Sequence, residues 1–315
     1  MLSTQVLRPP APEAIEIIQG LEAAASLADG HESLGSFTWR DLAAPSPESI
    51  GILAVDGDDP LGYVHLSPSD TLADPHVVAA IVIHPEHRDG GAVAAALLDP
   101  LVTEAASEAA AGGPGRIVLW VNSADDAFDT ITEKFGFTRT REQFQMRVPL
   151  PLAESPVWPA GVTVRSFVPG VDDADWLRVN NRAFQNHPDQ GSWAEATLQR
   201  RLVEPWFDPT GFLLAHDENG LAGFCWTKVH DDEPDGPLGE IYVIGVDPDH
   251  QGIGLGRALT VGGLEHLARD RHCPIGMLYV DGANPAGLRL YRALGFEVHR
   301  IDRSYEATPT PAAKP

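Results

Sequence analysis

A glycine-rich turn near the end of the chain has the composition of an anion-binding site. Residues 246–259 read VDPDHQGIGLGRAL, so Gly252, Gly254 and Gly256 stand directly before an apolar, helix-like pattern. Glycine adopts backbone angles closed to other residues and lets a ligand approach the main chain. A helix that begins there leaves unpaired N–H groups at its positive end, where phosphate oxygens bind. The turn therefore favours a pyrophosphate site, although a simple strand-to-helix connection can have the same composition.

Two common nucleotide motifs do not describe this turn. No Gly-Lys-Ser/Thr sequence closes it, as in a nucleotide P-loop, and it does not lie in a dinucleotide-binding βαβ unit. The formal net charge of −23 repels phosphate backbones, so we expect no nucleic-acid partner. An anionic ligand must then be held locally, by backbone amides.

The rest of the composition predicts an ordinary intracellular protein. Cys225 and Cys273 show neither a pairing pattern nor metal-type spacing, which favours a reducing compartment. The chain opens without a signal-peptide pattern, and no apolar run approaches the roughly 20 residues that span a bilayer. We therefore expect a soluble, cytoplasmic monomer without a membrane partner.

The elements that must position the turn occur twice. Three segments recur in one order, about 160 residues apart, which predicts two copies of one domain. We assign the copies to 1–150 and 162–308, with a proline-rich linker at 151–161 and a disordered tail at 309–315. The recurring pairs are LGYVHLSPSD (61–70) and AGFCWTKVHD (222–231), 77–92 and 238–256, and 133–150 and 292–307.

Each copy has the pattern of an α/β unit with a mostly antiparallel, mixed sheet flanked by helices. A helical region precedes two strands, and a third strand leads into the glycine-bearing turn and a helix. A fourth strand and a helix that ends at Gly-Phe follow, and a final strand closes the unit. In the second copy the third strand is LGEIYVIGV (238–246), which places the turn at its carboxyl end.

Two motifs of the second copy resemble those of the GCN5-related N-acetyltransferase (GNAT) family. VIGVDPDHQGIGLGRAL (243–259) resembles motif A, Gln/Arg-x-x-Gly-x-Gly/Ala, and NPAGLRLYRALGF (284–296) resembles motif B. The resemblance implies two tandem GNAT domains, acetyl-CoA as co-substrate and no metal. It implies that pantetheine pairs with one strand segment and that the pyrophosphate lies in the turn. The cofactor-binding residues so implied are Ile244, Gly245, Val246, Gln251, Gly252, Ile253, Gly254, Leu255, Gly256, Arg257, Asn284, Pro285, Ala286, Gly287, Leu288 and Arg289.

Acetylation of an amine by this family needs a neutral amine, a polarised carbonyl and a proton for the departing thiolate. The resemblance implies that Glu240 draws the proton from the ammonium and that Tyr291 donates to the thiolate. The backbone N–H of Val246 is the expected donor to the oxyanion. Tyr291 follows Asn284 by two helical turns and so shares its face. The alternatives are a solvated strand-start residue for Glu240 and a core aromatic residue for Tyr291.

The first copy is degraded at the corresponding positions. Arg88 and Gly91 keep the motif, but Asp89 adds a negative charge where phosphate would bind, and Thr132 stands where the second copy has Tyr291. We expect this domain to carry no chemistry, and either retention or loss of its cofactor fits the residues. If the cofactor is retained, its contacts are Ile81, Val82, Ile83, Arg88 and Gly91.

Further blocks narrow the resemblance to the mycothiol synthase family, whose members acetylate the cysteinyl amine of a cysteine–glucosamine–inositol conjugate. The resemblance implies a small-molecule thiol-sugar acceptor, and such a polyol needs several hydrogen-bonding side chains. Its implied contacts are Asp189, Lys228, Glu240, Tyr279 and, in place of a family carboxylate, Ser36, with Glu32 as the alternative. The blocks are RVNNRAFQNHPDQGSW (178–193), EPWFDPTGFLLA (204–215) and GFCWTKVH (223–230).

Two other functions remain compatible with the sequence. One is acetylation of a different amine, such as a peptide N-terminus or an aminoglycoside. The other is a non-catalytic sensor that binds acyl-CoA, against which the intact turn, Glu240 and Tyr291 of the second copy argue.

Overall fold

The computed structural model describes residues 1–69, 75–185, 191, 193–231 and 236–309. The chain forms two compact units. The first unit comprises Met1–Gln143 and Arg300–Pro315, and the second comprises Phe144–His299. Among the described residues, no helix has the length and apolar composition needed to cross a membrane.

The first unit is a mixed sheet with helices on both faces. Its elements are β1 (Leu2–Leu7), α1 (Pro12–Asp29), α2 (Ser36–Ala43), β2 (Ile50–Asp56), β3 (Asp59–Pro68), β4 (Val77–Ile83), α3 (Ala92–Ala110), β5 (Ile117–Val121), α4 (Asp126–Lys134), the first half of β6 (Thr138–Pro149) and most of β12 (Glu297–Ala307). The strand order is β1-β2-β3-β4-β5-β12, with β4 and β5 parallel and the other pairs antiparallel. One core lies between the sheet and α3, and a second lies under α1 and α2.

The second unit repeats this arrangement. Its elements are the end of β6, β7 (Thr163–Ser166), α5 (Asp173–Ala183), α6 (Glu195–Leu202), β8 (Phe212–Asp217), β9 (Gly220–His230), β10 (Leu238–Val246), α7 (Leu255–Arg269), β11 (Ile275–Asp281) and α8 (Pro285–Ala293). The strand order is β6-β11-β10-β9-β8-β7, and β10 and β11 are parallel. A core of mainly aliphatic residues lies under α7 and α8, and an aromatic core around Trp176 and Trp226 lies on the other face.

The α/β class and the mixed, mostly antiparallel sheets are confirmed. The strand predicted at 238–246 is observed with the same bounds as β10. One expectation was wrong, because the final strand of the second copy does not close its own unit. Residues 303–307 of β12 pair with β5 in the first unit, where Tyr305 is fully buried. Conversely, Met146 and Val148 of β6 enter the core of the second unit. The units thus divide within β6 and β12, and not at the linker after residue 150.

α7 packs closely on β9 and β10 because a glycine faces the sheet. A Cβ atom added at Gly263 would lie 2.5 Å from Cys225 Sγ and 2.8 Å from Ile241 Cδ1. Interiors packed at this density do not absorb an added methyl group without movement of the backbone or side chains. Gly263 therefore sets the distance between α7 and the strands that carry the candidate site.

We expect Gly263→Ala to lower the free energy of unfolding by about 1–3 kcal/mol through overpacking. Gly20→Ala in α1 is the matched control, since a Cβ there meets nothing within 4 Å. The control should raise stability by about 0.5–1 kcal/mol, because alanine favours a helix interior over glycine. Denaturant titrations of both variants measure the difference, and equal stabilities would contradict the close packing at Gly263.

Candidate active site

β10 leaves regular pairing at Tyr242. Its register against β9 shifts between Ile241 and Val243, which makes Tyr242 a β-bulge. The parallel ladder between β10 and β11 ends at the pair Ile241–Leu278, and none of the described residues of β11 pairs with 242–246. Bulges bend a strand and increase its twist. The two central strands therefore separate from this point onward.

The backbone groups of Ile244 and Val246 face the open side of β10. The N–H of Asp247 donates to the carbonyl of Ala222 in β9 at 2.9 Å. Hydrogen-bonded and non-hydrogen-bonded pairs alternate along an antiparallel ladder. Ile244 and Val246 fall on the alternate positions, so their N–H and C=O groups point away from β9. This geometry fits the predicted pairing with the pantetheine amides.

The glycine turn presents backbone to open space. Gly252 has φ 81° and Gly254 has φ 86°, and a Cβ at either position meets nothing within 4 Å. Gly254 is the N-cap of α7, and because glycine has no side chain it leaves the first helical amides uncapped. The first amides of α7, from Leu255 onward, therefore have no intrahelical acceptor. An open, amide-rich helix start of this kind fits a diphosphate.

An ion pair fixes the base of the turn. Arg182 of α5 donates from Nε and Nη2 to the two carboxylate oxygens of Asp247, each at 2.9 Å, and from Nη2 to Asp249 at 2.7 Å. Burial alone would raise the pKa of Asp247, but the hydrogen bonds from Arg182 and from the Asp249 N–H lower it below its ordinary value. Asp247 is therefore ionised at neutral pH, and it joins the turn to α5. The sequence analysis did not assign Arg182 a role.

Arg257 follows the turn within α7 and already has a partner. Its guanidinium donates to Glu154 at 2.6 and 3.2 Å, and both side chains are about two-fifths exposed. Exposed ion pairs of this type contribute little to stability, so a competing anion could replace the carboxylate. The predicted role of Arg257 toward the cofactor remains a prediction.

The motif at 284–289 forms the start of α8. Asn284 is the N-cap, and its side-chain oxygen accepts from Gly287 N at 2.9 Å. Pro285 occupies the first helical position, where a missing N–H leaves no acceptor unsatisfied. Asn284 thus stabilises the helix that carries Tyr291.

Tyr291 lies at the inner face of α8, with 8% of its surface exposed. Its ring centroid is 5.8 Å from that of Phe296. Burial raises the pKa of Tyr291 to about 12. The phenol therefore keeps its proton at neutral pH. Cys225 stands opposite Ile244 in the β9–β10 register, and it shares a core with Tyr291. Tyr291 and the separated part of β10 therefore border the same core.

Three predicted acceptor residues share the other face of the sheet. Glu240 pairs with Lys228 across β9 and with Met277 across β11, and paired residues point to the same face. Tyr279 lies two residues beyond Met277 and therefore on that face as well. Glu240 is 7% exposed, whereas Tyr279 is 36% exposed. A buried carboxylate and two more accessible polar side chains thus come together.

These side chains also have partners in the second unit. The ammonium of Lys228 lies 5.2 Å from the ring centroid of Trp206, within cation–π distance. Tyr279 Oη accepts a hydrogen bond from Gln145 Nε2 at 2.9 Å. Asp189 lies outside the described residues, and Ser36, in the first unit, is the first residue of α2.

One polar neighbour of Glu240 was not predicted. His230 Nε2 lies 2.7 Å from Glu240 Oε2. The residue occurs in the block GFCWTKVH, two positions after Lys228, so strand alternation could have placed it on the same face.

The corresponding site of the first unit differs in detail. β3 and β4 pair without a register shift from Gly62–Ile83 to Pro68–Val77, so β4 has no bulge against β3. Arg88 binds both carboxylate oxygens of Asp29 at 2.7 Å and donates from Nε to the carbonyl of Ile83. At Gly91, an added Cβ would collide with Ile131. The arginine and the glycine of this motif are thus both engaged within the unit.

Thr132 takes the position that Tyr291 has in the second unit. It is buried, and its hydroxyl donates to the carbonyl of Asp129 at 2.9 Å. A hydroxyl held in this way has no proton available for a leaving group.

The two motifs, the bulged strand and the fold define an acetyltransferase of the GNAT class. The model of the acetyltransferase (GNAT) family matches residues 175–296. A GCN5-related N-acetyltransferase from Sphaerobacter thermophilus has a similar structure, with TM-score 0.74, 21% identity, and coverage of 99% of this chain and 98% of that one. A tandem GNAT protein from the clavulanic acid biosynthesis pathway has TM-score 0.71 and 16% identity, over 99% and 100% of the two chains. Both likenesses show the fold.

A closer relationship exists in sequence. The mycothiol acetyltransferase of Thermobispora bispora is 44% identical over 298 residues, which cover 92% of this chain and 95% of that protein. The chain therefore belongs to the mycothiol acetyltransferase family.

We expect Gly254→Ala to weaken CoA binding about tenfold, since a methyl group would occupy the open space above the amides. Gly170→Ala is the matched control, because Gly170 has φ 76° and open space at its Cβ but lies outside the site. Both variants should lose about 1–2 kcal/mol of stability to the left-handed backbone. Calorimetric titration with CoA compares them with the wild type, and wild-type affinity in Gly254→Ala would contradict a diphosphate site at this turn.

Proposed function

We propose that this protein uses acetyl-CoA to acetylate the cysteinyl amine of the cysteine–glucosamine–inositol conjugate, the last step of mycothiol biosynthesis. The observation that carries the proposal is the separation of β10 from β11 between a buried carboxylate on one face and a buried phenol on the other. Ile241 packs in the same core as Tyr291, and the side chain of the preceding Glu240 points to the opposite face. The gap between β10 and β11 thus lies between the Glu240 carboxylate and the Tyr291 phenol.

The cofactor site is supported by the backbone described above. Ile244, Gly245 and Val246 would hold the pantetheine arm, the turn at 251–257 the diphosphate, and residues 284–289 the thiol end. When bound there, acetyl-CoA supplies a thioester carbonyl to the amine. The N–H of Val246, which faces the open side of β10, is oriented to donate to the oxygen of that carbonyl.

Glu240 is the base in this proposal. An aliphatic ammonium must lose a proton before its nitrogen can attack a carbonyl. The Glu240 carboxylate is buried at the sheet surface that Lys228 and Tyr279 share, so a bound amine could reach it directly or through one water. Lys228 would donate to sugar oxygens, Tyr279 would donate to or accept from sugar hydroxyls, and Asp189 would add an acceptor.

Tyr291 is the acid. With a pKa of about 12, it is fully protonated and donates its O–H to the sulfur as the thiolate departs. Thr132 has no such proton to give, which supports a first unit without chemistry. Any cofactor bound there would meet Ile81, Val82, Ile83, Arg88 and Gly91, and Arg88 would first have to leave Asp29.

The proposed compartment is the cytoplasm. It is supported by Cys225 and Cys273, which are both free and buried and so form no disulfide.

Tyr291→Phe should lower kcat about a hundredfold, the usual contribution of a positioned proton donor. The affinity for acetyl-CoA should remain at the wild-type value, because the ring stays in the core. Tyr63→Phe, the same change at a buried tyrosine of the first unit, is the control and should leave kcat unchanged. Steady-state kinetics and CoA calorimetry make the comparison, and an unaltered kcat in Tyr291→Phe would remove it from the mechanism.

The acceptor is tested with a panel of amines and purified protein. The cysteinyl conjugate should be acetylated with the highest kcat/KM, because it combines a cysteinyl amine for Glu240 with sugar and inositol hydroxyls for the surrounding polar side chains. A peptide N-terminus lacks the hydroxyls, and an aminoglycoside lacks the cysteinyl amine. Mass spectrometry of the products identifies the acetylated nitrogen. Turnover of the peptide alone would point to a different acetyltransferase, and CoA binding without turnover of any amine would point to a sensor.

A further inference from the structure

The carboxylate of Glu240 has a histidine neighbour. His230 Nε2 lies 2.7 Å from Glu240 Oε2, a short distance for a bond between these groups. Among the described side chains, His230 is the one that hydrogen-bonds this carboxylate. The second oxygen, Oε1, is left for another donor.

The register explains how the two residues meet. His230 is the last residue of β9 and pairs with Leu238, whereas Glu240 pairs with Lys228. His230 and Glu240 are therefore diagonal neighbours on one face, within reach of long side chains. The ammonium of Lys228 lies 5.2 Å from the ring centroid of Trp206, and the imidazole of His230 makes the hydrogen bond to the carboxylate.

The two side chains differ in exposure. The side chain of His230 is 29% exposed and that of Glu240 is 9% exposed. A carboxylate that is largely removed from water needs a hydrogen bond to keep its charge and its orientation. His230 can supply that bond from the solvent side while the other side of the carboxylate faces the acceptor surface.

We propose that His230 is the positioning residue for the base Glu240, a role that rests on the proposed function of Glu240. An ionised carboxylate only accepts, so Nε2 carries the hydrogen and donates it to Oε2. This bond fixes the carboxylate plane and directs Oε1 at the ammonium of the acceptor. The ammonium N–H bond breaks, an O–H bond forms at Oε1, and the proton passes to water afterwards. The hydrogen on His230 Nε2 is not transferred.

The kinetic test compares His230→Phe with His230→Gln. Phenylalanine keeps the ring but donates nothing, and kcat should fall about ten- to a hundredfold, the range expected for loss of one hydrogen bond to a charged group. KM for acetyl-CoA should stay the same. Glutamine places an N–H near the position of Nε2 and should restore most of kcat, which a purely structural role of the ring would not produce.

A matched control uses the same substitution elsewhere in the second unit. His216→Phe changes a half-buried histidine of β8 and should leave kcat unchanged. Thermal melts of all variants are the test that each one is folded. Should His230→Phe fail to fold, His230→Ala with added imidazole replaces it, and recovery of kcat with imidazole supports the proposal.

A second measurement does not depend on turnover. Long-range nitrogen–proton spectra of protein labelled with nitrogen-15 histidine report which ring nitrogen of His230 carries the hydrogen. The neutral ring should be the Nε2–H tautomer, and its resonances should shift in Glu240→Gln. An Nδ1–H tautomer, or wild-type kcat in His230→Phe, would overturn the role of His230. Absence of turnover in the wild type would instead contradict the proposed function, and the spectra would still decide the pairing.

Discussion

The separated segment of β10 is the constraint on which the rest of the second unit depends. Buried backbone groups require hydrogen-bond partners, and a regular sheet would supply them from β11. The bulge at Tyr242 and the end of the ladder at Ile241 leave the groups of Ile244 and Val246 facing outward. Both faces of the sheet are held by dense packing, by Gly263 of α7 on one side and by the aromatic core around Trp226 on the other. The strand is thus kept open and rigid, and a ligand with amide groups can complete it.

The two units share the open strand end but differ at the positions proposed for chemistry. In both, the parallel ladder between the central strands is four pairs long, so an open strand end is common to them. The units differ in the bulge, which β10 has against β9 and β4 lacks against β3. They also differ in one helical residue, Tyr291 of α8 or Thr132 of α4. Tyr291 retains an O–H for donation, whereas the hydroxyl of Thr132 is bound to its own helix. Under the proposed function, a difference in chemistry between the units would arise from a register shift and one side chain, with the same architecture around them.

The sequence predicted what depends on local patterns. The bounds of β10 follow from an apolar run, and the glycine turn follows from residues that tolerate positive φ. The exchange of the final strands was not predictable, because β6 and β12 have similar patterns and either can satisfy the same sheet edge. β1, β7, α2 and α6 were also missed, since they are short or weakly patterned. His230 resembled any strand histidine until the register brought it to Glu240.

The strongly acidic composition is compatible with an anion site at the glycine turn. The arginines beside the two glycine turns are each paired with a carboxylate, Arg182 with Asp247, Arg257 with Glu154 and Arg88 with Asp29. Each arginine is neutralised by its carboxylate partner, so these pairs produce little positive potential to attract an anion from a distance. Attraction at the turn must come from amide dipoles, which act within a few ångströms. A protein with net charge −23 can therefore hold a diphosphate, provided that the main chain, and not the overall field, makes the contact.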